Sequence, residues 1–280
     1  MIRCVLGLIY GAVYGTAHVI PGLSGGTFLV IFGCYDTVCE AFALNFKEIK
    51  KHFFFLLFFG IGTVGGIIGF AHAVTFLFDG FPVQTNLFFM GLILGGIPLI
   101  LKIAASGEKL KKVRLSPFLL GFALIAALFV VEKSGAFETG AVQTADFAFT
   151  LRIAFYAFTA AIAMVMPGIS GAFVLVAFGV YEMFMNGLKA LDFTIIAPAA
   201  AGILFGIVVG AKMILFLLKK FKSVVYGAIT GMVAGSALPL FPEGAGLNAA
   251  TLAGIPCFAA GMAAGLFLGK KNGGEHNLQK

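Results

Sequence analysis

Two long apolar stretches of this chain are broken near their middles by the same pattern, Pro-Gly-x-Ser-Gly, once at Pro21 to Gly25 and again at Pro167 to Gly171. Proline removes a helical hydrogen bond and glycine admits left-handed turns, so neither stretch, 2–45 or 149–190, runs as one uninterrupted helix. Setting Pro21 against Pro167, an offset of 146 residues, aligns PGLSGGTFLVIFGCY with PGISGAFVLVAFGVY. Identities fall at Pro21, Gly22, Ser24, Gly25, Leu29, Val30, Phe32, Gly33 and Tyr35, and the next position is acidic in both copies, Asp36 and Glu182. GLILGGIP from Gly91 echoes GMVAGSALP from Gly231. The chain reads as a first membrane repeat over 1–132, a connector over 133–148 on the outer side, a second repeat over 149–269 and a tail over 270–280.

Composition says what solvent these repeats occupy. Charged residues are 11% and hydrophobic residues 60% of the 280, with mean hydropathy +1.06; soluble domains carry about 25% charge. A core this size cannot hide so much apolar surface from water, so lipid is the solvent. Apolar runs at 53–78, 85–103, 115–132, 195–217, 223–241 and 247–269 each approach the ~20 residues that cross a bilayer as a helix. The expected fold is therefore an all-α integral membrane protein with two broken or re-entrant helical hairpins and about six full transmembrane helices. The first apolar run follows Arg3 but meets no small-x-small cleavage site before Pro21, so it is expected to be retained.

Charge placement sets orientation. If each broken stretch returns to the side it entered, the basic loops 46–52, 102–114 and 218–222 and the tail share the N-terminal face, and counting Lys212 near the inner end of its helix leaves only Lys133, Arg152 and Lys189 of the 19 Lys and Arg elsewhere. That face is expected to be cytoplasmic, with both termini on it. The basic excess is thus an orientation signal and not a nucleic-acid footprint. Three full spans separate the broken stretches, and three is odd, so the second repeat lies upside down relative to the first.

Non-helical backbone at membrane depth must be buried in protein or line a wet cavity. The helices expected after each break, from Gly25 and Gly171, present unpaired N–H groups. With the hydroxyls of Ser24 and Ser170 they suit a phosphate or carboxylate. The plainer alternative is a hairpin hinged at Pro21, Gly22, Pro167 and Gly168 whose serines only cap the following helix. A costly break duplicated in opposite orientations favours a site. Thr27 adds a hydroxyl in the first copy where the second has Phe173, or bonds a carbonyl one turn back. His18, Asp36 and Glu182 are candidates for proton coupling, with packing or capping as their alternatives. Arg152 is placed to receive a phosphate near the outer headgroups or to anchor there, and Lys212 to add positive charge in the cavity or to snorkel to the inner surface. No metal or hydrolytic motif stands out, and no cofactor is expected.

The paired motifs, Pro21-Gly22-Leu23-Ser24-Gly25-Gly26-Thr27 with Gly33-x-Tyr35 and Pro167-Gly168-Ile169-Ser170-Gly171 with Gly179-x-Tyr181, resemble the undecaprenyl-phosphate (polyprenyl-phosphate) transporter family, long catalogued as a domain of unknown function. The resemblance covers nearly the whole chain. It implies a multi-pass protein of the bacterial plasma membrane that returns the lipid carrier phosphate from outer to inner leaflet for cell-wall synthesis, with membrane lipids as its other partners. It would place phosphate recognition on Ser24, Gly25, Gly26, Thr27, Ser170 and Gly171. Two other readings use the same residues: an integral-membrane phosphatase of polyprenyl pyrophosphate, and a transporter of small anions.

Overall fold

The computed structural model describes residues 2–19, 24–105, 115–133, 147–242 and 249–275. Among them every regular element is helical. The first broken stretch forms α1 (Ile2–Val19), α2 (Gly25–Ile31) and α3 (Tyr35–Phe42), followed by the short α4 (Phe46–Lys51), and then α5 (Phe53–Gly80), α6 (Pro82–Ala105) and α7 (Leu115–Lys133). The second forms α8 (Phe147–Val165), α9 (Gly171–Ala177) and α10 (Tyr181–Lys189), followed by α11 (Phe193–Gly235) and α12 (Ala249–Glu275). Pro21 and Gly22 lie outside the described residues, as do most of the 133–148 connector and the end of the tail.

Each broken stretch is divided into three pieces rather than two. The additional break comes at Gly33 (φ +68°) and Gly179 (φ +67°), where the chain turns left-handed just before α3 and α10. Only glycine adopts that conformation cheaply, which gives the repeated Gly-x-Tyr a local cause. Leu44 (φ 60°) and Leu191 (φ 52°) close the two stretches with the same left-handed turn, at the same place after α3 and α10.

The sequence expects two spans at 195–217 and 223–241. Two helical segments cover this part of α11, 193–220 and 222–235, meeting in a kink at the non-helical Phe221 (φ −133°, ψ 43°), and the second ends six residues early in turns around Pro239. Proline cannot donate to a continuing helix, which accounts for the early end. Long, apolar candidate spans occur at Pro82–Lys102, Phe147–Val165, Phe193–Gly235 and Ala250–Phe267, with shorter apolar helical stretches at Cys4–His18, Phe53–Gly69 and Leu115–Val130. Their outer faces carry Phe54, Ile68, Leu120, Leu204 and Phe267, all exposed, the surface expected of helices solvated by lipid.

Glycines set how closely the helices approach. In α1 a Cβ on Gly7, Gly11 or Gly15 would strike the backbone of Phe55, Phe59 or Thr63 in α5, in that order. In α11, Gly202, Gly206 and Gly210 meet Ala154, Phe158 and Ile162 of α8. Both pairs run in the same direction, so α2 to α4 must carry the chain back to the end where α1 began, and α9 and α10 do the same after α8. Between the two halves of the chain, Gly91 of α6 meets Phe258 of α12, while Gly231 of α11 meets Phe118 of α7. Gly261 meets Phe88 and Gly121 meets Ala228. These contacts match pairwise at an offset of 140 residues (231 − 91, 258 − 118, 261 − 121, 228 − 88) and again run in the same direction. Small residues at such interfaces let backbones pack closely where lipid offers no hydrophobic drive.

Candidate functional site at the meeting of the two breaks

The two breaks touch. Thr27 Oγ1, in the first turn of α2, accepts a hydrogen bond of 3.0 Å from the Gly168 N–H, which belongs to the other break. A Cβ on Gly26 would sit 3.2 Å from Pro167 Cα and N, a contact tight enough that the Pro167 backbone would have to give by a few tenths of an ångström. Gly168 itself is left-handed (φ +86°), and its Cα faces the Met232 carbonyl of α11. The Thr27 hydroxyl thus joins the segment after the first break to the second break, 141 residues on.

Around this contact two polar atoms are buried with no hydrogen-bond partner: Ser24 Oγ and His18 Nε2. Ser24 is 3% exposed and Thr27 1%. Ser24 occupies the N-cap position of α2 but its side chain makes no capping bond, and the same holds for Ser170 before α9. The capping alternative therefore has no hydrogen bond behind it. His18 lies at the end of α1 with its ring edge-on to Tyr14, and Nε2 is 2.5 Å from where a Cβ on Gly25 would stand. Burying an unpaired hydroxyl and an unpaired imidazole nitrogen costs about 1–3 kcal/mol each, a cost a polar ligand would offset. α2 and α9 span only two turns, so the first-turn N–H groups matter here more than a helix dipole.

Beyond this centre the first hairpin reaches across to the second repeat. Tyr35 Oη donates to the Val165 carbonyl (3.0 Å), and Tyr226 Oη of α11 to the Asp36 carboxylate (3.5 Å). Tyr226 and Tyr14 escaped the sequence reading. Each was visible as a polar residue inside an apolar run, but which face it lies on depends on tertiary packing.

Of the remaining candidates, Ser170 and Gly171 belong to the second break, while Arg152, Lys212 and Glu182 stand exposed on their helices. Ser170 and Gly171 are half-buried, and the nearest atom to a Cβ on Gly171 would be the Ala160 carbonyl oxygen at 3.2 Å, so that glycine faces its own repeat. Arg152 is exposed near the start of α8, with Nε on the Ala148 carbonyl. Lys212 is exposed on α11 between buried Ala211 and Ile214, and Glu182 is exposed at the start of α10. Among the described residues, no His, Cys, Asp and Glu cluster is arranged to hold a metal.

Residues 14–255, including both breaks, match the profile of a family described as undecaprenyl phosphate translocase-like. The chain belongs to that family. It is 27% identical over 244 residues to a polyprenyl-phosphate transporter of Staphylococcus aureus, an alignment spanning 85% of this chain and 86% of that protein. A polyprenyl-phosphate transporter of Vibrio cholerae is likewise 27% identical, over 248 residues, 83% of this chain and 76% of the relative. No solved structure matches the chain. Membership in this translocase-like family, together with the apolar helices, makes the chain a multi-pass membrane protein whose relatives are named as transporters and not as enzymes.

Proposed function

We propose that this protein carries polyprenyl phosphate, in the form of undecaprenyl phosphate, from the outer to the inner leaflet of a bacterial cell membrane, with both termini cytoplasmic. The observation that carries the site is the pair of buried, unpartnered polar atoms, Ser24 Oγ and His18 Nε2, where the two breaks meet. A phosphate head is too polar to cross hydrocarbon unaided, whereas a prenyl tail stays in lipid. The carrier then needs a polar cradle within the bilayer, built here from Ser24, Gly25, Gly26 and Thr27 with Ser170 and Gly171 opposite. Arg152, exposed and on the same helical face as Phe155 and Tyr156, is the proposed first contact for the arriving head, its tail lying against those rings. Lys212 is proposed to attract the head from the lipid face of α11.

Inverted repeats with two hairpins and six full spans are the architecture we assign. The four like-directed helix pairs support it. On this reading the chain reverses at Phe81 and at Phe221 and α6 and α7 run opposite ways, so that α8 runs opposite to α1, as an inverted second repeat requires. Alternating access then arises as the halves rock about the breaks. Proton coupling is assigned first to His18, which faces the cradle, ahead of Asp36 and Glu182 at the hairpin bases; a transport rate unchanged across a pH series would count against it.

The deciding experiment is leaflet-resolved transport of undecaprenyl phosphate in proteoliposomes, with wild type, Ser24→Ala, Ser170→Ala and the double variant. Loss concentrated in Ser24→Ala supports the cradle. Equal rates in all four remove the serines from it. Phosphate release from polyprenyl pyrophosphate by the purified protein would instead support the phosphatase reading, and transport of phosphate without a prenyl chain would support the small-anion reading.

A further inference from the structure

The two hairpins are alike in sequence and unlike in docking. Tyr35 is 3% exposed and bonds the Val165 carbonyl, while its counterpart Tyr181 is 37% exposed and has no hydrogen bond among the described residues. Asp36 accepts from Tyr226, while Glu182 stands exposed and without a partner among the described residues. α2 is buried throughout and packs on α6, α8 and α12, and α3 packs on α11 of the other repeat. α10 rests on α9 and α11 of its own repeat. One set of cross-repeat bonds is made and its mirror set is open.

The numbering of the repeats says what the mirror set would be. Val19 ends α1 as Val165 ends α8, at the 146-residue offset (165 − 19) that relates the hairpins. Asn86 of α6 stands where Tyr226 stands in α11, at the 140-residue offset (226 − 86) that relates those helices. We infer that Tyr35 and Asp36 on one side, and Tyr181 and Glu182 on the other, are alternately engaged docking residues: releasing Tyr35 from Val165 and Asp36 from Tyr226 lets the second hairpin dock, with Tyr181 Oη donating to the Val19 carbonyl and Asn86 Nδ2 donating to the Glu182 carboxylate. The chemistry suits the exchange. A tyrosine hydroxyl donates to a helix-end carbonyl left without an intrahelical partner, and a neutral tyrosine or asparagine donates to a carboxylate. An inverted pair of near-equal halves gives the two arrangements similar energy, so loss of one buried hydrogen bond is enough to move the balance.

This inference rests on the inverted-repeat reading above, but its test needs no lipid substrate. In a background carrying Cys4→Ala, Cys34→Ala, Cys39→Ala and Cys257→Ala, the pairs Asp36→Cys with Tyr226→Cys and Glu182→Cys with Asn86→Cys are cross-linked in membranes by a short bifunctional thiol reagent. Both pairs are expected to link. Adding Tyr35→Phe is expected to move the yield about threefold to tenfold from the first pair towards the second. A second pair that never links, with or without Tyr35→Phe, while the first links fully, overturns the exchange. Should the cysteine-free background fail to accumulate, hydrogen exchange on wild type and Tyr35→Phe decides the same point. Lost protection in α3 with gained protection in α10 supports the exchange, and lost protection in α3 alone overturns it. Failure to carry polyprenyl phosphate would remove the transport reading and leave these outcomes as they are.

Discussion

The segment after the first break and the segment after the second share a motif but not an environment. α2 lies wholly inside the protein, its Ser24 and Thr27 sealed and its Gly26 against the opposite backbone. α9 is partly open, with Ala172 and Phe178 exposed and Ser170 half-buried. The second copy has Phe173 in place of Thr27 and so lacks the hydroxyl that accepts from Gly168 in the first. The difference teaches that two segments sharing a motif can differ in burial, and with it in the energetic weight of each residue.

The most severe way to break this comparison is Gly168→Val. A Cβ there would meet the Met232 carbonyl at 2.6 Å on a left-handed backbone, and the combined strain and overpacking should cost about 3 kcal/mol or more. Thermal unfolding in detergent should show a large fall in Tm, and transport should vanish. Next is Thr27→Val, which keeps the shape and removes the acceptor for the Gly168 N–H, leaving a buried donor unpaired at about 1–3 kcal/mol. Thr27→Ser should recover most of that loss, a rescue that a purely steric role would not show.

Tyr35→Phe and Tyr181→Phe sharpen the contrast directly. The first forfeits a buried hydrogen bond and should destabilise by about 1 kcal/mol in the same assay; the second removes an exposed, unbonded hydroxyl and should stay within about 0.5 kcal/mol of wild type. Equal effects would mean that the two hairpins are docked alike in the membrane. Smallest in stability is Ser24→Ala. It removes a buried hydroxyl that has no partner, so unfolding should be unchanged or slightly later while transport in proteoliposomes falls several-fold, the sign of a site that trades stability for function.

Much of this was legible in residue order because membranes punish irregular backbone. A Pro-Gly-x-Ser-Gly inside an apolar run has to be buried or wetted, and finding it twice, three spans apart, led to a pair of hairpins and to the serines. The breaks are indeed in contact. Other features stayed hidden for physical reasons. The repeated Gly-x-Tyr at Gly33 and Gly179 marked a likeness and gave no sign of the left-handed turns it makes, and the basic loop expected at 218–222 is shortened to a kink at one non-helical residue, Phe221. Arg152 and Lys212 drew attention by charge, yet charge reports the solvent a side chain prefers and not the distance to a site.

Composition and periodicity determined alone that lipid solvates this chain, that its elements are helices and that two of its segments must break, because hydropathy and backbone hydrogen bonding are properties of local sequence. Which hairpin is buried, which hydroxyl joins the halves and which imidazole is sealed beside the first break were decided only when the helices packed together, since those contacts depend on segments that packing brings together from distant parts of the chain, Thr27 and Gly168 being 141 positions apart. Near-identical local patterns can end in unequal surroundings, and only three-dimensional packing distinguishes them.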